Sequence, residues 1–409
     1  MDSKVVIIGA GHAGIETASS LRNLGFSGII KIFDQENTFP YQKPPLSKSY
    51  IKSVDMKEAL LRSKDWYMNN KIDLKMNTYI KFINVNNKSL IDEKDNIYEY
   101  DKLVIATGSV NNLLGIESKE YQRGNFYSLR NLVDSKRIRK KISEVNTITI
   151  IGAGFIGLEI ASTAIQLKKN VTIIENSNNI MGRSISKDLS NWLVDRYSKA
   201  GINFIFNKSF KSFKNDKYSN TEIVLSDDSR INSEMVLISV GSKPNDSLFK
   251  NIKVNEFNKI KVNSFLETNV HDIYAIGDCC FFDYFSKEIR LESIQNATDQ
   301  AKIVAKNILD MKEEYNFVPW FWSDQLNIKL QIVGLVDLNS NIEIKVLGSQ
   351  ENSKFSNFIF DNDQLKAVES INSPGHHLIM KNNWEKRNFL TKDKFSEDLD
   401  LKNFFNTLV

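Results

Sequence analysis

The chain has 409 residues, beyond the size to which one hydrophobic core keeps growing, so two or three domains are expected. Apolar residues make up 41% and charged residues 25%, and no apolar run approaches the roughly 20 residues of a membrane helix, which describes an ordinary soluble protein with no spanning segment. A formal charge of +4, dispersed along the chain, is too small to argue for a nucleic-acid surface. The first apolar run begins directly after Met1 to Lys4, leaving no room for a signal peptide, and a cytoplasmic location is expected.

Val5 to Ile8 reads as a strand that runs into Gly9, Gly11 and Gly14, with Ala10, His12 and Ala13 between them, and then into an amphipathic helix from Ile15 to Leu24 that ends at Gly25. In such a turn the first glycine permits the sharp bend, the second lets a pyrophosphate approach the backbone, and the third lets helix and strand pack closely. The helix N-terminus adds free N–H groups and a positive dipole. Ile29 to Phe33 is the next strand, closed by Asp34, Gln35 and Glu36, the acidic cluster expected about twenty residues on at a ribose.

Phe39 to Lys48 contains Pro44-Pro45, which stiffen the backbone and hold Lys43 and Lys48 in defined directions. The two cations suit a pyrophosphate or a flavin ring that is anionic when reduced; a stiffened surface loop with solvated lysines explains them equally well. Thr78 to Val85 and Lys88 to Ile91 are expected antiparallel strands. The strand Leu103 to Ala106 comes next, and Ala106-Thr107-Gly108 is a small-residue turn suited to a cofactor's close approach.

Gly115 to Arg130 is expected to be a linker and Asn131 to Lys141 a helix. The first pattern then repeats. Thr147 to Ile151 leads into Gly152, Gly154 and Gly157, with Glu159 in the first turn of the following helix, and Val171 to Ile174 ends at Glu175. Two such units in one chain point to two bound dinucleotides. Asn176 to Asn179 offers no cation to a 2′-phosphate, which favours NADH, although Arg183 lies close in sequence.

Val236 to Gly241 reads as a strand that opens into Gly241-Ser242-Lys243-Pro244-Asn245. Ile273 to Asp278 is a strand carrying a carboxylate at its C-terminal end, where ligands sit in open parallel sheets; Asp278 could accept from ribityl hydroxyls or cap the next turn of the chain. From Phe317 onward the runs shorten and alternate. Lys329 to Leu335, Ile342 to Leu347, Phe355 to Phe360 and Lys366 to Ile371 are expected antiparallel strands, with Trp384 to Leu390 and Leu399 to Phe405 as terminal helices or turns. The only cysteines, Cys279 and Cys280, are neighbours, a spacing that gives a strained disulfide and seldom a redox pair. Two cysteines and four scattered histidines give no zinc spacing, and no metal is expected.

The first glycine loop, Pro44-Pro45-Leu46-Ser47-Lys48, Asp101 to Gly108, the second glycine loop through Leu158-Glu159, Ile276-Gly277-Asp278, Leu291 to Ala297 and Pro319 to Gln325 stand in this order. Together they resemble the FAD-dependent ferredoxin reductases of oxygenase systems, such as the putidaredoxin, rhodocoxin and biphenyl dioxygenase reductases, and more distantly apoptosis-inducing factor. The resemblance implies an α/β fold of two Rossmann-like dinucleotide-binding domains, glutathione-reductase-like, plus a C-terminal α+β domain. Residues 1–112 and 246–316 would form the FAD domain, 113–245 the NADH domain and 317–409 the third.

By the same resemblance FAD is held by Gly9, Gly11, His12, Ala13 and Gly14, by Gln35 or Glu36 at the ribose, and by Lys43, Lys48 and Ile80. Ala106, Thr107, Gly108, Arg130, Gly277, Asp278 and the Ile294 backbone complete that set, with Trp322 beside the cofactor. NADH sits on Gly152, Gly154, Gly157 and Glu175, with Arg183 and Gly241 nearby. Gln35 departs from the family, which usually has an acid there. Lys48 and Glu159 pair near the reactive nitrogen and tune the flavin. The implied activity is electron transfer from NADH through FAD to a small iron–sulphur protein, a ferredoxin, that feeds an oxygenase, by a monomer or weak homodimer. The alternatives are reduction of rubredoxin, a quinone, monodehydroascorbate or oxygen, and a flavin-bound interaction protein resembling apoptosis-inducing factor.

Overall fold

A computed structural model of the chain describes residues 3–53, 57–116, 125–215, 220–245, 248, 259–284, 287–335 and 342–408. Its contacts divide the chain into two units: Met1–Gln42, Lys57–Val110 and Ser242–Pro319 form the first, and Lys43–Met56, Asn111–Gly241 and Trp320–Val409 the second. Part of the expected linker, residues 117–124, and the expected boundary at 246 lie outside the described residues.

In the first unit Lys4–Ile8 is the central strand of a five-stranded sheet, flanked by Lys102–Ile105 and then Ile273–Ala275 on one side, and by Ile29–Phe33 and then Ile72–Lys75 on the other. All four pairings are parallel. Strands buried on both faces read as unbroken apolar runs, which is why Val5 to Ile8 and Leu103 to Ile105 carry no polar residue. Helix His12–Asn23 packs along helix Ile294–Ile308. Ile80–Asn84, Ser89–Asp92 and Ile97–Glu99 form a separate antiparallel sheet.

The second unit repeats the plan around Thr147–Ile151, with Asn170–Ile174 and Ile202–Ile205 on one side and Met235–Ile238 and Phe126–Tyr127 on the other, again all parallel. It also contains an antiparallel five-stranded sheet in the order Trp320–Gln325, Ile328–Gly334, Gln364–Ile371, Lys354–Asp361, Ile342–Ser349. Leu330, Ile332, Phe355 and Ile371 of that sheet share one core with Ile138, Leu158, Ile160 and Leu189, and Ile51 belongs to it too.

The expected strands stand within a few residues of their sequence bounds. Three differences have physical causes. The first helix begins at His12 instead of Ile15, because the glycine loop itself supplies the opening turn. The strand expected to Asp278 stops at Ala275, since Gly277 turns to φ +75 and starts a 3-10 turn. Helix Pro374–Asn382 was not expected; Pro374 stands in its first turn, where a fixed φ favours the helix and no N–H is needed. Among the described residues no helix is long and apolar enough to cross a membrane.

Candidate nucleotide and redox sites

The three glycines of the first loop do different work. Gly9 has φ +107, and a Cβ there would lie 2.2 Å from the Ala106 carbonyl oxygen, so the turn after Lys102–Ile105 presses directly on the loop. A Cβ on Gly14 would lie 1.9 Å from the Gly9 oxygen, which lets the helix sit on the bend. Gly11 is required by neither backbone nor packing. Its φ of −72 and ψ of −169 suit any residue, and a Cβ there meets nothing within 4 Å. The bare position leaves an open floor at a helix N-terminus, where the first N–H groups have no partner within the helix and a phosphate could be received.

The elements beside this loop converge on it. Gly277 lies against Ala13 and Ala297, a Cβ on it reaching their methyl carbons at 3.5 and 3.6 Å, and its N–H donates to buried Gln300 Oε1 at 2.7 Å. Asp278 therefore comes directly after a turn packed against the loop helix, and its Oδ2 accepts from Ser109 Oγ at 3.1 Å. Ile294 opens the helix behind the Ser293 cap. The Thr107 hydroxyl donates to the Asn245 carbonyl at 3.2 Å, and the Gly108 carbonyl accepts the Asn245 N–H at 3.0 Å. Ile80, 1% exposed, gives its side chain to the core. His12 Nε2 lies 2.9 Å from Gln42 Oε1.

Of the acidic cluster that closes the second strand, the residue that meets the loop is Asp34, whereas the resemblance singles out Gln35 or Glu36. Its Oδ2 accepts the Ala10 N–H at 2.6 Å and its Oδ1 the Glu36 N–H at 2.7 Å. Glu36 accepts from the Tyr41 hydroxyl at 2.7 Å, and Gln35 is exposed. The signal was present: Asp34 directly follows its strand, as Glu175 does in the second unit.

The second loop has the same build. Gly152 has φ +100 and a Cβ there would lie 2.4 Å from the Ser239 oxygen; a Cβ on Gly157 would lie 2.4 Å from the Gly152 oxygen. Gly154, at φ −80 and ψ −178, has only the Ser239 oxygen at 3.9 Å and is again open. Glu175 Oε2 accepts the Ala153 N–H at 2.8 Å. Arg183 is exposed, and its Nη2 lies 3.3 Å from where a Cβ of Gly241 would stand.

Lys43, Lys48, Arg130 and Trp322, which the resemblance assigns to FAD, belong to the same unit as the second loop. Pro44–Ser47 form a 3-10 turn held by Ser135 Oγ on the Leu46 carbonyl at 2.7 Å and Thr163 Oγ1 on the Ser47 carbonyl at 2.9 Å. Lys48 Nζ meets Glu159 Oε1 at 2.7 Å, the ammonium side chain 24% exposed and the carboxylate side chain 7%. The pair expected from the resemblance is thus formed, and Glu159 is a buried partner instead of a solvated first-turn acid. Arg130 precedes helix Leu132–Glu144, its N–H donating to Asp134 at 2.9 Å. Trp322 is half-buried, its ring 5.6 Å from that of Trp320.

Residues 3–301 match the pyridine nucleotide-disulphide oxidoreductase family. The chain belongs to that family. Residues 320–405 match the reductase C-terminal family. The oxidoreductase is 33% identical over 373 residues to a rubredoxin-NAD(+) reductase of Pseudomonas putida, covering 90% of this chain and 96% of that one. It is 33% identical over 404 residues to rhodocoxin reductase of Rhodococcus erythropolis, covering 97% and 93%. Among solved structures it is similar to the ferredoxin reductase for the CYP199A2 system of Rhodopseudomonas palustris, at 32% identity and TM-score 0.92, covering 98% of this chain and 100% of that one. It is likewise similar to putidaredoxin reductase in its covalent complex with putidaredoxin, at 30% identity and TM-score 0.91, covering 99% and 98%. As expected from its sequence, the chain is an oxidoreductase with FAD and NAD(H) as cofactors, and the open floors at Gly11 and Gly154 fit two dinucleotides.

The disulphide half of the family's name finds no dithiol here. Cys279 and Cys280, the only two cysteines, are both 0% exposed. Burial pushes the Cys279 thiol up to about 11 and raises that of Cys280 well above the ordinary range, so neither is a thiolate at neutral pH. Glu267, His271 and Asp272 cluster as a cation site would, but Lys88 and Lys102 meet the two Asp272 oxygens at 2.5 and 2.6 Å and already neutralise it.

Proposed function

We propose that this oxidoreductase takes hydride from NADH and passes electrons singly to a small iron–sulphur protein, a ferredoxin that serves an oxygenase, in the cytoplasm. The observation that carries this reading is the burial of both thiols, which leaves no cysteine to relay electrons, so that they pass from the flavin directly to an external acceptor. FAD, when bound, supplies the chemistry that converts a two-electron donor into one-electron steps. The chain supplies the rest. Gly9, Gly11 and Gly14 with Asp278 hold FAD, and Gly152, Gly154, Gly157 and Glu175 hold NADH. Lys48, tied to Glu159, would offer a positive charge to the reduced ring, and Trp322 would lie beside the cofactor. In this reading residues 1–112 and 246–316 are assigned to the FAD domain, 113–245 to the NADH domain and 317–409 to the C-terminal domain, while by contacts Lys43–Met56 and Trp320–Val409 group with Asn111–Gly241.

The test is direct. Purified protein is expected to be yellow, to release its flavin on acid precipitation, and to reduce a ferredoxin with NADH. Rubredoxin is the second acceptor to assay, because a rubredoxin reductase is among the similar proteins. Reduction of ferricyanide without reduction of either iron–sulphur protein would overturn the acceptor, and a folded, colourless protein unable to bind added FAD would overturn the whole reading.

A further inference from the structure

Two separate stretches of the second unit, Ser47-Lys48 and the strand that carries Ser323, close on the Glu159 carboxylate. Oε1 accepts from Lys48 Nζ at 2.7 Å and from Ser323 Oγ at 2.5 Å, and Oε2 accepts from Ser47 Oγ at 2.5 Å. Gln325 Nε2 donates in turn to Ser323 Oγ at 2.9 Å. That donation occupies a lone pair of the Ser323 oxygen, so the hydroxyl proton is left to point at Glu159. Ser323 and Gln325 are 1% and 3% exposed. Burying two polar side chains is unfavourable unless each finds a partner, and here Ser323 is committed to the carboxylate and Gln325 to Ser323.

The strand Trp320–Gln325 explains how they reach it. Alternate residues face opposite sides of a strand. Phe321 meets the Phe155 ring edge-on at 4.9 Å and Ser323 meets Glu159, which stands one helical turn further along helix Phe155–Gln166. At the end of the strand the Leu326 N–H donates to Ser162 Oγ at 2.5 Å, on the same helix face. Trp320 and Trp322 occupy the other side, their rings 5.6 Å apart. One short strand therefore fixes both the tryptophan assigned to the cofactor and the carboxylate that holds Lys48.

We propose that Ser323, oriented by Gln325, is a positioning residue for Lys48: it holds the Glu159 carboxylate in one rotamer, so that the ammonium is presented in one direction. Without it Oε1 keeps a single donor, the carboxylate turns, and the Lys48 stem swings with it toward solvent. The inference rests on the reading that Lys48 faces the flavin, and its test separates the two.

Two readouts are taken on the holoenzyme: the rate of Lys48 acetylation by acetic anhydride, measured by mass spectrometry, and the midpoint potential of the bound flavin. Ser323→Ala is expected to raise Lys48 acetylation at least ~5-fold and to lower the potential, and Ser323→Thr to restore both. Gln325→Met, which keeps volume and removes the donor to Ser323, is expected to act in the same direction and serves if Ser323→Ala does not fold. The drop in potential from Ser323→Ala is expected to vanish in a Lys48→Ala background. Wild-type acetylation and potential in both variants, with only stability changed, would overturn the proposal and leave Ser323 as a tie between sheet and helix. Raised acetylation with a potential that even Lys48→Ala fails to move would uphold the positioning of Lys48 and overturn its assignment to the flavin.

Discussion

Glu175 closes back on its own glycine loop, its Oε2 accepting the Ala153 N–H at 2.8 Å. Its Oε1 takes the Ser177 N–H and hydroxyl at 3.0 and 3.1 Å, so the side chain is fixed with one lone pair of Oε2 left for a ribose hydroxyl. A carboxylate held so firmly cannot swing away from a 2′-phosphate, and like charges at close range cost several kcal/mol.

NADH is therefore expected to be preferred over NADPH by at least ~10-fold in kcat/KM, about 1.4 kcal/mol. The figure is set low because the exposed Arg183 lies against Gly241, within reach of a phosphate. Glu175→Ala combined with Asn176→Arg is expected to move the preference toward NADPH. Equal efficiency of the two nucleotides in steady-state kinetics of the wild type would mean that this carboxylate does not face the ribose.

The glycines separate fold from ligand. Gly14→Ala drives a Cβ to 1.9 Å from a backbone oxygen, and is expected to destabilise by about 3 kcal/mol through overpacking. Gly11→Ala meets open space, so the unfolding midpoint of flavin-stripped protein should stay within about 0.5 kcal/mol of wild type while FAD affinity falls. Calorimetry and flavin titration of the two variants check this, and a Gly11→Ala protein with wild-type FAD affinity would remove the first loop from the cofactor site.

What the sequence made legible was local. The β-branched runs and the glycine spacing fixed both parallel sheets and both loops, since strands buried on two faces and a strand-turn-helix bend each have a short-range signature. Lys43 and Lys48 could only be read as stiffly held, because what decides Lys48 is Glu159, 111 positions away in the numbering and on another helix. Ser323 and Gln325 stand in the Pro319 to Gln325 motif, but no strand is expected there and nothing local directs them to Glu159. Asp34, Gln35 and Glu36 form a run of three candidates that the sequence alone does not separate, and the strand register brings Asp34 to the loop. Helix Pro374–Asn382 is nine residues long with two adjacent histidines and no clean apolar period, too short to be told from a turn.

The thiols are expected to be dispensable for electron flow. Cys279→Ser with Cys280→Ser should reduce a cognate ferredoxin with NADH at close to the wild-type rate, although replacing two fully buried sulfurs by hydroxyls should lower thermal stability. Loss of ferredoxin reduction with flavin reduction intact, seen by stopped-flow absorbance, would give the cysteines a role in transfer.

Glu369 links stability to pH. It lies 0% exposed on strand Gln364–Ile371. It accepts the Ser186 N–H at 2.5 Å, the Ser186 hydroxyl at 2.7 Å and Asn357 Nδ2 at 3.3 Å, at the start of helix Lys187–Lys199. Burial raises its carboxyl from 4.5 to about 7; the three donors oppose that rise and the nearby Asp188 adds to it. Between those values the folded chain keeps the proton and the unfolded chain has released it, so unfolding liberates a proton and stability falls as pH rises. The contribution is fully present below about 4.5 and lost by about 7. Across pH 5 to 8 the loss is on the order of 2–3 kcal/mol. Glu369→Gln keeps the shape and removes the titration, so its stability relative to wild type is expected to improve by that amount over the same range. Urea unfolding of both proteins at pH 5 and pH 8 measures it, and a difference that stays constant with pH would mean that Glu369 is ionised throughout.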